Sequence, residues 1–581
     1  MGGAINIVSA RPEFANSGWI RLRYDIETEG KQVQTMTNVA LSDGVAMRLS
    51  AEGVHQDGGF FYNPNNDVYF DRQKGYGVRG QVRVQTGPLD LILLAETQDM
   101  TIPGIHYQVA IAKGTPGFPG GFTQPKFTYA WNTRPRASQA VDTYQVLGTL
   151  DLGGATLTST THYRVRNSQY DLDNDGIDAA SLAAARASGA AVVNIDTNGA
   201  SYVVDETKSL YQDVHLSGSA ADGALDWLVG GDAVILDSRY QITTTRTPTL
   251  ANPSTGTLAP AVLKFRSYAA YGSLGYDITD ALNLTGELRY TTDDRSLSAR
   301  LFDLGTGAAV GGAARVVDAR TRPDNVSYNA TLSYKFGGGV LGYAKMGSSY
   351  RAGGFNSNLG DIRQPITIPA AYDNESATSY ELGLRGEPAR NLYFAVAGYY
   401  NDLTDLIAQT DNGCAITLPS CPVAATSFLT NAGDARSYGV EAELSNTLPV
   451  YRGQFRFALA ASVQGGKVTS GKFVNLRLPQ VPEFLGSANL TFRRELGGDT
   501  KGFVNLLYTV QLGGVQELSA TSVKLSDYDL LNLRVGIETG PFTIAVVADN
   551  ITDQVYNIAR NSTINRYSTP RTTRIEASYR F

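Results

Sequence analysis

The chain has 581 residues, a formal net charge of −6 and a mean hydropathy of −0.17. The acidic balance, with lysine and arginine gathered in no block, excludes a nucleic-acid partner, and the lack of any run of roughly 18 apolar residues excludes a helical membrane protein. If this chain enters a bilayer it does so as a closed barrel, the other architecture that satisfies every backbone amide in lipid. No Pro/Ser-rich linker or change of composition marks a domain boundary, so the whole length reads as one architecture.

In chain order, the first stretch, Met1 to Pro12, lacks the basic and then apolar regions of a secretory signal. From Trp19 to Glu29 the residues alternate: Ile20, Leu22, Tyr24 and Ile26 face one side of an extended strand, and Arg21, Arg23, Asp25 and Glu27 the other. The same alternation starts again near Gln32, Val45, Gly75, Leu89, Thr143, Ala155, Thr207, Ala224, Lys264 and Leu282, then near Asn325, Val340, Glu375, Asn391, Ala435, Gly453, Pro482, Lys501, Tyr528 and Phe542. It ends in Arg574 to Phe581, where Ile575, Ala577, Tyr579 and Phe581 oppose Arg574, Glu576, Ser578 and Arg580. That makes about 22 strands, an even number inside the range of single-chain bacterial barrels.

Every second connection is tiny, as in Ser42-Asp-Gly44, Thr86-Gly-Pro88, Gly337-Gly-Gly339 and Thr539-Gly-Pro541, and reads as a hairpin turn. The connections between them are long, among them Asp99 to Asp142, Gln169 to Glu206 and Asp405 to Asp434. Short turns on one rim and long loops on the other predict an all-β, antiparallel, up-and-down transmembrane barrel, with short periplasmic turns and long extracellular loops. Aromatic groups such as Phe60-Phe61-Tyr62, Tyr69-Phe70 and Tyr399-Tyr400 are expected near strand ends, at the membrane boundary.

Cys414 and Cys421, close together in a Gly/Pro/Asn-rich stretch, predict a loop disulfide rather than a metal site, which would want a second pair or nearby histidines. Asp171, Asp173 and Asp175 precede Gly176 at the alternate spacing of the start of a calcium loop. The closing acid is absent, since Leu182 stands where it would be, and the run Ala179 to Ala191 reads as a short helix. Calcium is therefore the one cofactor to weigh. The chain has four histidines and no HExxH, Walker or Gly-x-Ser-x-Gly arrangement, so it is not read as an enzyme.

Several stretches resemble the TonB-dependent outer-membrane receptors in that family's order. Gly2 to Pro12 is similar to the close of the plug domain. Tyr350-Arg-Ala-Gly353-Gly354-Phe-Asn356 is similar to the loop-entry motif, and Glu375 to Arg385, with Glu381, to the strand after it. Asn431 to Glu441, with Gly439 and Glu441, then Val481-Pro-Glu483, then Asp549 to Tyr556 with Asn550, then Tyr579-Arg-Phe581 complete the series. The resemblance implies a division into residues 1–14, the end of a plug, and 15–581, the barrel. It also implies a place in the bacterial outer membrane, in contact with its lipid, and TonB-energised uptake of a scarce nutrient, a ferric siderophore or similar chelate. The plug and TonB box of the family are not recognised here, so coupling to TonB would run through an N-terminal part outside this sequence. A porin-like passive channel or a loop-based binding module are the alternatives.

For ligand contact the outer loops offer Tyr62, Arg72, His106, Tyr107, Trp131, Arg134 and Arg136, and Arg351 with Phe355 after the loop-entry motif. Aromatic rings stack on catecholate or sugar faces, and guanidinium neutralises an anionic chelate.

Overall fold

The computed structural model describes residues 8–104, 108–111, 122–173, 176, 178, 180, 183, 200–245, 256–309, 316–356, 369, 371–411, 427–520, 522–560 and 564–581. The main sheet holds 24 strands. Two of these, Phe302–Asp303 and Val316–Thr321, only extend the long-loop ends of Gly256–Asp277 and Leu282–Arg300. The other 22 form an antiparallel meander that closes on itself. Closure joins the first strand, Ser17–Asp25, to the last, Thr572–Arg580, in the register Trp19↔Arg580, Arg21↔Ser578, Arg23↔Glu576. Gly18 and Phe581 seal the seam by exchanging two backbone hydrogen bonds of 2.7 and 2.9 Å. A closed sheet has no edge strand and so no unpaired ladder groups in lipid.

The dyad pattern decides which face is which. Leu22, Leu49, Leu382, Val463 and Ile544 all stand exposed on the outer wall (Leu382 by 69%), an arrangement that water would oppose and acyl chains favour. The facing-in positions are mostly polar, rich in Arg, Asp, Glu, Gln, Ser and Thr. Among the described residues no single hydrophobic core exists, because the apolar half of each strand is turned outward to lipid.

Two girdles of rings border the apolar band. Tyr334, Phe336, Phe542, Tyr579 and Phe581 lie toward the short-turn rim, with Tyr334 4.9 Å from Phe336 and Phe542 4.8 Å from Tyr579. Tyr380, Tyr400 and Tyr438 stand side by side in register toward the long-loop rim. Of the aromatic groups expected at the boundary only Tyr400 is there. Tyr399 points into the lumen, and Phe61 and Phe70 are 3% exposed in a loop core, because strand alternation and loop packing, not proximity to a strand end, decide where a ring goes.

The turns follow their residues. Gly337, Gly338 and Gly339 all take positive φ (82°, 59° and 77°), a run that side chains would strain. On the other rim the expectation of long loops fails once: Ile26 to Glu29 join the first two strands directly. Three strands also begin well before their expected starts, at Arg136, Ala200 and Gly256. The longest reach 21 and 22 residues, about twice what spanning lipid requires. Their far halves stand clear of the bilayer, where the hydrogen-bond ladder continues but no lipid selects an apolar face. Thr243-Thr-Thr245 is such a segment, with Thr245 fully buried.

Candidate functional site

The lumen is walled by cross-strand ion pairs. Arg83 grips Asp90 through two 2.8 Å bonds, Arg289 grips Asp232 at 2.6 and 3.0 Å, Arg79 meets Glu96 at 2.7 Å and Arg166 meets Asp205 at 2.6 Å. Most of these guanidiniums are a fifth to two-fifths exposed, so each pair adds about 0–1 kcal/mol. Their effect is to keep a wide bore wet, polar and rich in fixed charge. The chain before the first strand lies on this wall. The Asn38 side chain, 1% exposed, donates to the carbonyls of Glu13 and Ala15 at 2.7 and 2.6 Å and accepts from the Glu13 N–H at 2.9 Å. Arg83 lies 4.9 Å from the Phe14 ring and Arg79 donates to Ser9 Oγ.

Above the lipid band the described residues build three separate cores, the smallest of Ala261, Leu297 and Ala299. One joins Phe61, Phe70, Tyr129, Trp131 and Tyr567, with Phe70 4.6 Å edge-on to Trp131. The Trp131 carbonyl accepts the side-chain amides of Asn63, Asn65 and Asn66 at 2.9, 3.3 and 3.1 Å. Asp71, also buried, accepts the Phe60 and Phe61 N–H groups. Burial pushes the Asp71 carboxyl above the ordinary carboxylate range against the pull of those two donors. Close by, hydrogen bonds from His55 and Lys31 hold the exposed Asp57 carboxyl below it. The second core joins Ala377, Leu403, Ala435, Val468 and Leu478, flanked by Phe473 and Val481.

The residues proposed for ligand contact separate between these groups. Tyr62 packs on Tyr69 at 5.1 Å and donates to Asp67. Arg72 is exposed and donates to the Gln56 carbonyl. Trp131 is fully buried. Arg134 is exposed in the loop, while strand alternation sets Arg136 on the outward side of the extended wall, opposite Asp171 in register. Arg351 is held by Glu375 at 2.7 Å and donates to the Ile407 carbonyl at 2.6 Å, and Phe355 packs against Ala261, Leu297 and Ala299. His106 and Tyr107 lie outside the described residues, as do Asp175 and the two cysteines, Cys414 and Cys421.

Asp173, offered for calcium, is 1% exposed and accepts the backbone N–H groups of Asn132, Thr133 and Gly176 at 3.0, 3.1 and 2.7 Å. It thereby ties its loop to the Trp131 loop. Asp171 sits two residues earlier on the same face of the strand, and among the described residues no group of three or more His, Cys, Asp and Glu side chains could hold a metal ion. Of the run 179–191 only Ala180 and Ala183 are described, both helical.

The motif residues act as fasteners. Tyr350 donates to Asp293, the Gly353 N–H donates to Asn374, Gly354 pairs with Tyr372, and the Asn356 amide bonds both N–H and carbonyl of Leu429. Glu381 accepts from Tyr343 at 2.6 Å. Gly439 lies under the Tyr399 ring, where a Cβ would come within 2.7 Å, and Glu441 stands two positions along the same lumenal face. Asn550, at φ 52°, closes its turn onto Gln554, and Tyr556 stacks on Tyr528 at 4.2 Å. What sequence reasoning missed is a recess of about 580 Å³ in the lumenal wall at the seam, lined by arginines of the first strand and the last few. Arg21, Arg23, Arg574 and Arg580 were each visible, but not that the two ends of the chain lie side by side.

The solved structures of three receptors share this fold. The ferric yersiniabactin uptake receptor FyuA from Yersinia pestis superposes with a TM-score of 0.79 at 15% identity, over 100% of this chain and 82% of that one. The siderophore receptor PiuA from Acinetobacter baumannii gives 0.75 at 14% identity, over 99% and 82%. The ferric-catecholate import receptor Fiu from E. coli, in its closed form, gives 0.72 at 15% identity, over 100% and 83%. At that identity they show the fold alone. The family described as "TonB dependent receptor-like, beta-barrel" matches residues 62–551, most of the chain. With a closed 22-strand barrel, a polar lumen and lopsided rims, this chain is a member of the TonB-dependent receptor β-barrel family of the bacterial outer membrane, a family of receptors for nutrient uptake rather than of enzymes.

Proposed function

We propose that the chain forms the barrel through which a ferric siderophore, or a similar anionic metal chelate, is taken up across the outer membrane with energy from TonB. The observation that carries this reading is the family match over residues 62–551. The named cargo of the similar solved receptors, ferric yersiniabactin and ferric catecholates, supplies the class of ligand. The polar, arginine-rich lumen suits an anionic complex in water. Coupling belongs to a plug domain whose last residues are 1–14. Support for that boundary comes from Asn38 and Arg83, which already hold residues 12–15 against the inner wall.

The test is uptake of radio-iron siderophores by iron-starved cells with and without the intact gene. The reading expects gene-dependent uptake of at least one chelate that stops when TonB is deleted or the proton gradient is collapsed. Gene-dependent entry that persists without TonB overturns it in favour of a passive channel.

A further inference from the structure

Five neighbouring strands carry the tallest part of the wall: Ala200–Ala220, Leu225–Thr245, Gly256–Asp277, Leu282–Arg300 and Val316–Thr321. Alternation continues on their outward face above the lipid, where the apolar residues give way to charge. One unbroken row in register reads Lys208, Asp237, Lys264, Ser296, Arg320. The row above it reads Glu206, Arg239, Val262, Ser298, Asp318. The row below reads Leu210, Ile235, Arg266, Asp294, and Arg322 joins it through a 3.2 Å contact with Asp294. Over these rows six cations stand with four carboxylates. Arg300 and Asp324, one row further on either side, add one charge of each sign. The sector around Tyr380, Tyr400 and Tyr438 differs: its next outward row is Thr378, Asp402, Arg436, which is balanced.

The carboxylates of the tall sector are already engaged. Asp237 takes Arg266 at 2.8 Å, Glu206 takes Lys208 at 2.8 Å, Asp318 takes Arg300 at 3.6 Å, and Asp294 is shared by Arg320 and Arg322. Lys264, between Asp237 and Ser296, is left exposed without a carboxylate of its own among the described residues. It stands with Arg320 at a groove of about 400 Å³, whose lining includes the Ser296 and Ser298 hydroxyls, Val262 and Asp318. Two mobile cations beside hydroxyl donors form a site for a phosphate, whose oxygens accept from both.

Height decides which phosphate. Tyr268 and Tyr290, 49% and 47% exposed, mark the top of the apolar band on two of these strands. Arg266 and Lys264 follow Tyr268 outward by two and four residues. At about 3.4 Å per residue and a tilt of about 40° they stand roughly 5 and 10 Å above it. A plain phospholipid head-group layer is about 5–8 Å deep, so the Lys264 row overshoots it. A head group built of phosphorylated sugars is deep enough to meet both rows.

We infer that the outward face of these five strands is a docking surface for the phosphorylated sugar head groups of lipids in the leaflet on the long-loop side, with Lys264 and Arg320 sharing one phosphate over the groove. The face lies on the outside of the cylinder, so neither cargo nor anything in the lumen meets it. The inference rests on membership of the outer-membrane family and not on the identity of the cargo.

Native mass spectrometry of the full chain folded in detergent tests this, with a bisphosphorylated disaccharide lipid (lipid A) and its dephosphorylated form as probes. The phosphorylated lipid is expected to bind at least tenfold more tightly than the dephosphorylated one. Lys264→Gln with Arg320→Gln should weaken it about tenfold, while Arg436→Gln, on the balanced sector, leaves it unchanged. Asp294 keeps Arg322 in the double variant, so no carboxylate is stranded; its folding is checked by strand circular dichroism and resistance to heat in detergent. The two lipids compared on the unmodified chain decide the matter even if that variant misfolds. Equal binding of both lipids means contact with acyl chains alone and overturns the assignment. So does displacement of the phosphorylated lipid by millimolar inorganic phosphate or by an Asp/Glu-rich peptide, which would make the groove a site for free anion or for protein. Binding unchanged in a folded double variant, or an equal loss with Arg436→Gln, overturns it as well.

Discussion

Asp71 shows how one side chain carries a loop. Its carboxylate takes two backbone donors that would otherwise be buried without a partner, at the cost of its own hydration. Its value in the folded loop lies above the ordinary 3.8, so the folded state binds the proton more tightly than the unfolded one. The contribution of this group is therefore fully present below pH 3.8 and is lost as pH rises through the folded value. Exposed Asp57, held low by His55 and Lys31, works in the opposite sense, its contribution being lost on acidification. Hydrogen exchange of segment 58–71, compared between the native chain and Asp71→Asn, separates the two. The difference in protection should shift in favour of the native chain as pH is lowered from neutral toward 4, and a difference that stays flat would contradict the account. Gly439 makes a second case. With the Tyr399 hydroxyl and the Val463 carbonyl 2.7 and 2.8 Å from the place a Cβ would take, Gly439→Val should cost about 1–3 kcal/mol of overpacking and lower the yield of heat-resistant barrel.

Among elements, the loop-entry segment is fixed by a latch that ties together two connections. Glu375 is 9% exposed and accepts both the Ile407 N–H and the Arg351 guanidinium. Arg351 is 55% exposed, so its ion pair is worth about 1 kcal/mol at most, and Arg351→Ala should loosen the latch by that amount. Glu375→Ala strands the buried N–H as well and should cost about 2–3 kcal/mol. Exchange of amides in 351–356 and 404–411 reads both losses, while the lipid-embedded strands keep their protection. At this scale the limits of sequence reasoning have a physical cause. Lipid enforces alternation, so the strands starting at Val45, Leu89, Ala155, Leu282 and Phe542 were legible to the residue. Above the lipid that selection ends, so the extensions beginning at Arg136 and Ala200 read as loop. Motif residues such as Arg351 and Asn356 were legible as special but not as fasteners, since Glu375 meets Arg351 only across the register of two strands and Leu429 comes from another loop. Trp131 was chosen for its exposed-loop context and proves to be the centre of a loop core, because long connections of this kind bury their own aromatic rings.

For the molecule as a whole, everything rests on the seam. The pairing of strand 17–25 with strand 572–580 turns an open sheet, which could not exist in lipid, into a cylinder. It also brings Arg21 and Arg23 of the first strand beside Arg574 and Arg580 of the last in the lumenal recess. Leu22 and Ala577 face lipid as registered partners, and the bonds between Gly18 and Phe581, four residue pairs along, mark this as a hydrogen-bonded position of the ladder. Its Cα atoms should then stand about 5.5 Å apart, inside the range a disulfide spans. With Cys414 and Cys421 replaced by serine, Leu22→Cys with Ala577→Cys should oxidise to a cross-link joining the two ends of the chain, seen as a faster-migrating, reductant-sensitive species in denaturing gels. Leu22→Cys with Ser578→Cys should not, because a shift of one residue sends the second thiol into the lumen. Efficient cross-linking of the mismatched pair, or none from the matched pair in folded protein, would mean that the barrel closes in another register, and the recess would go with it.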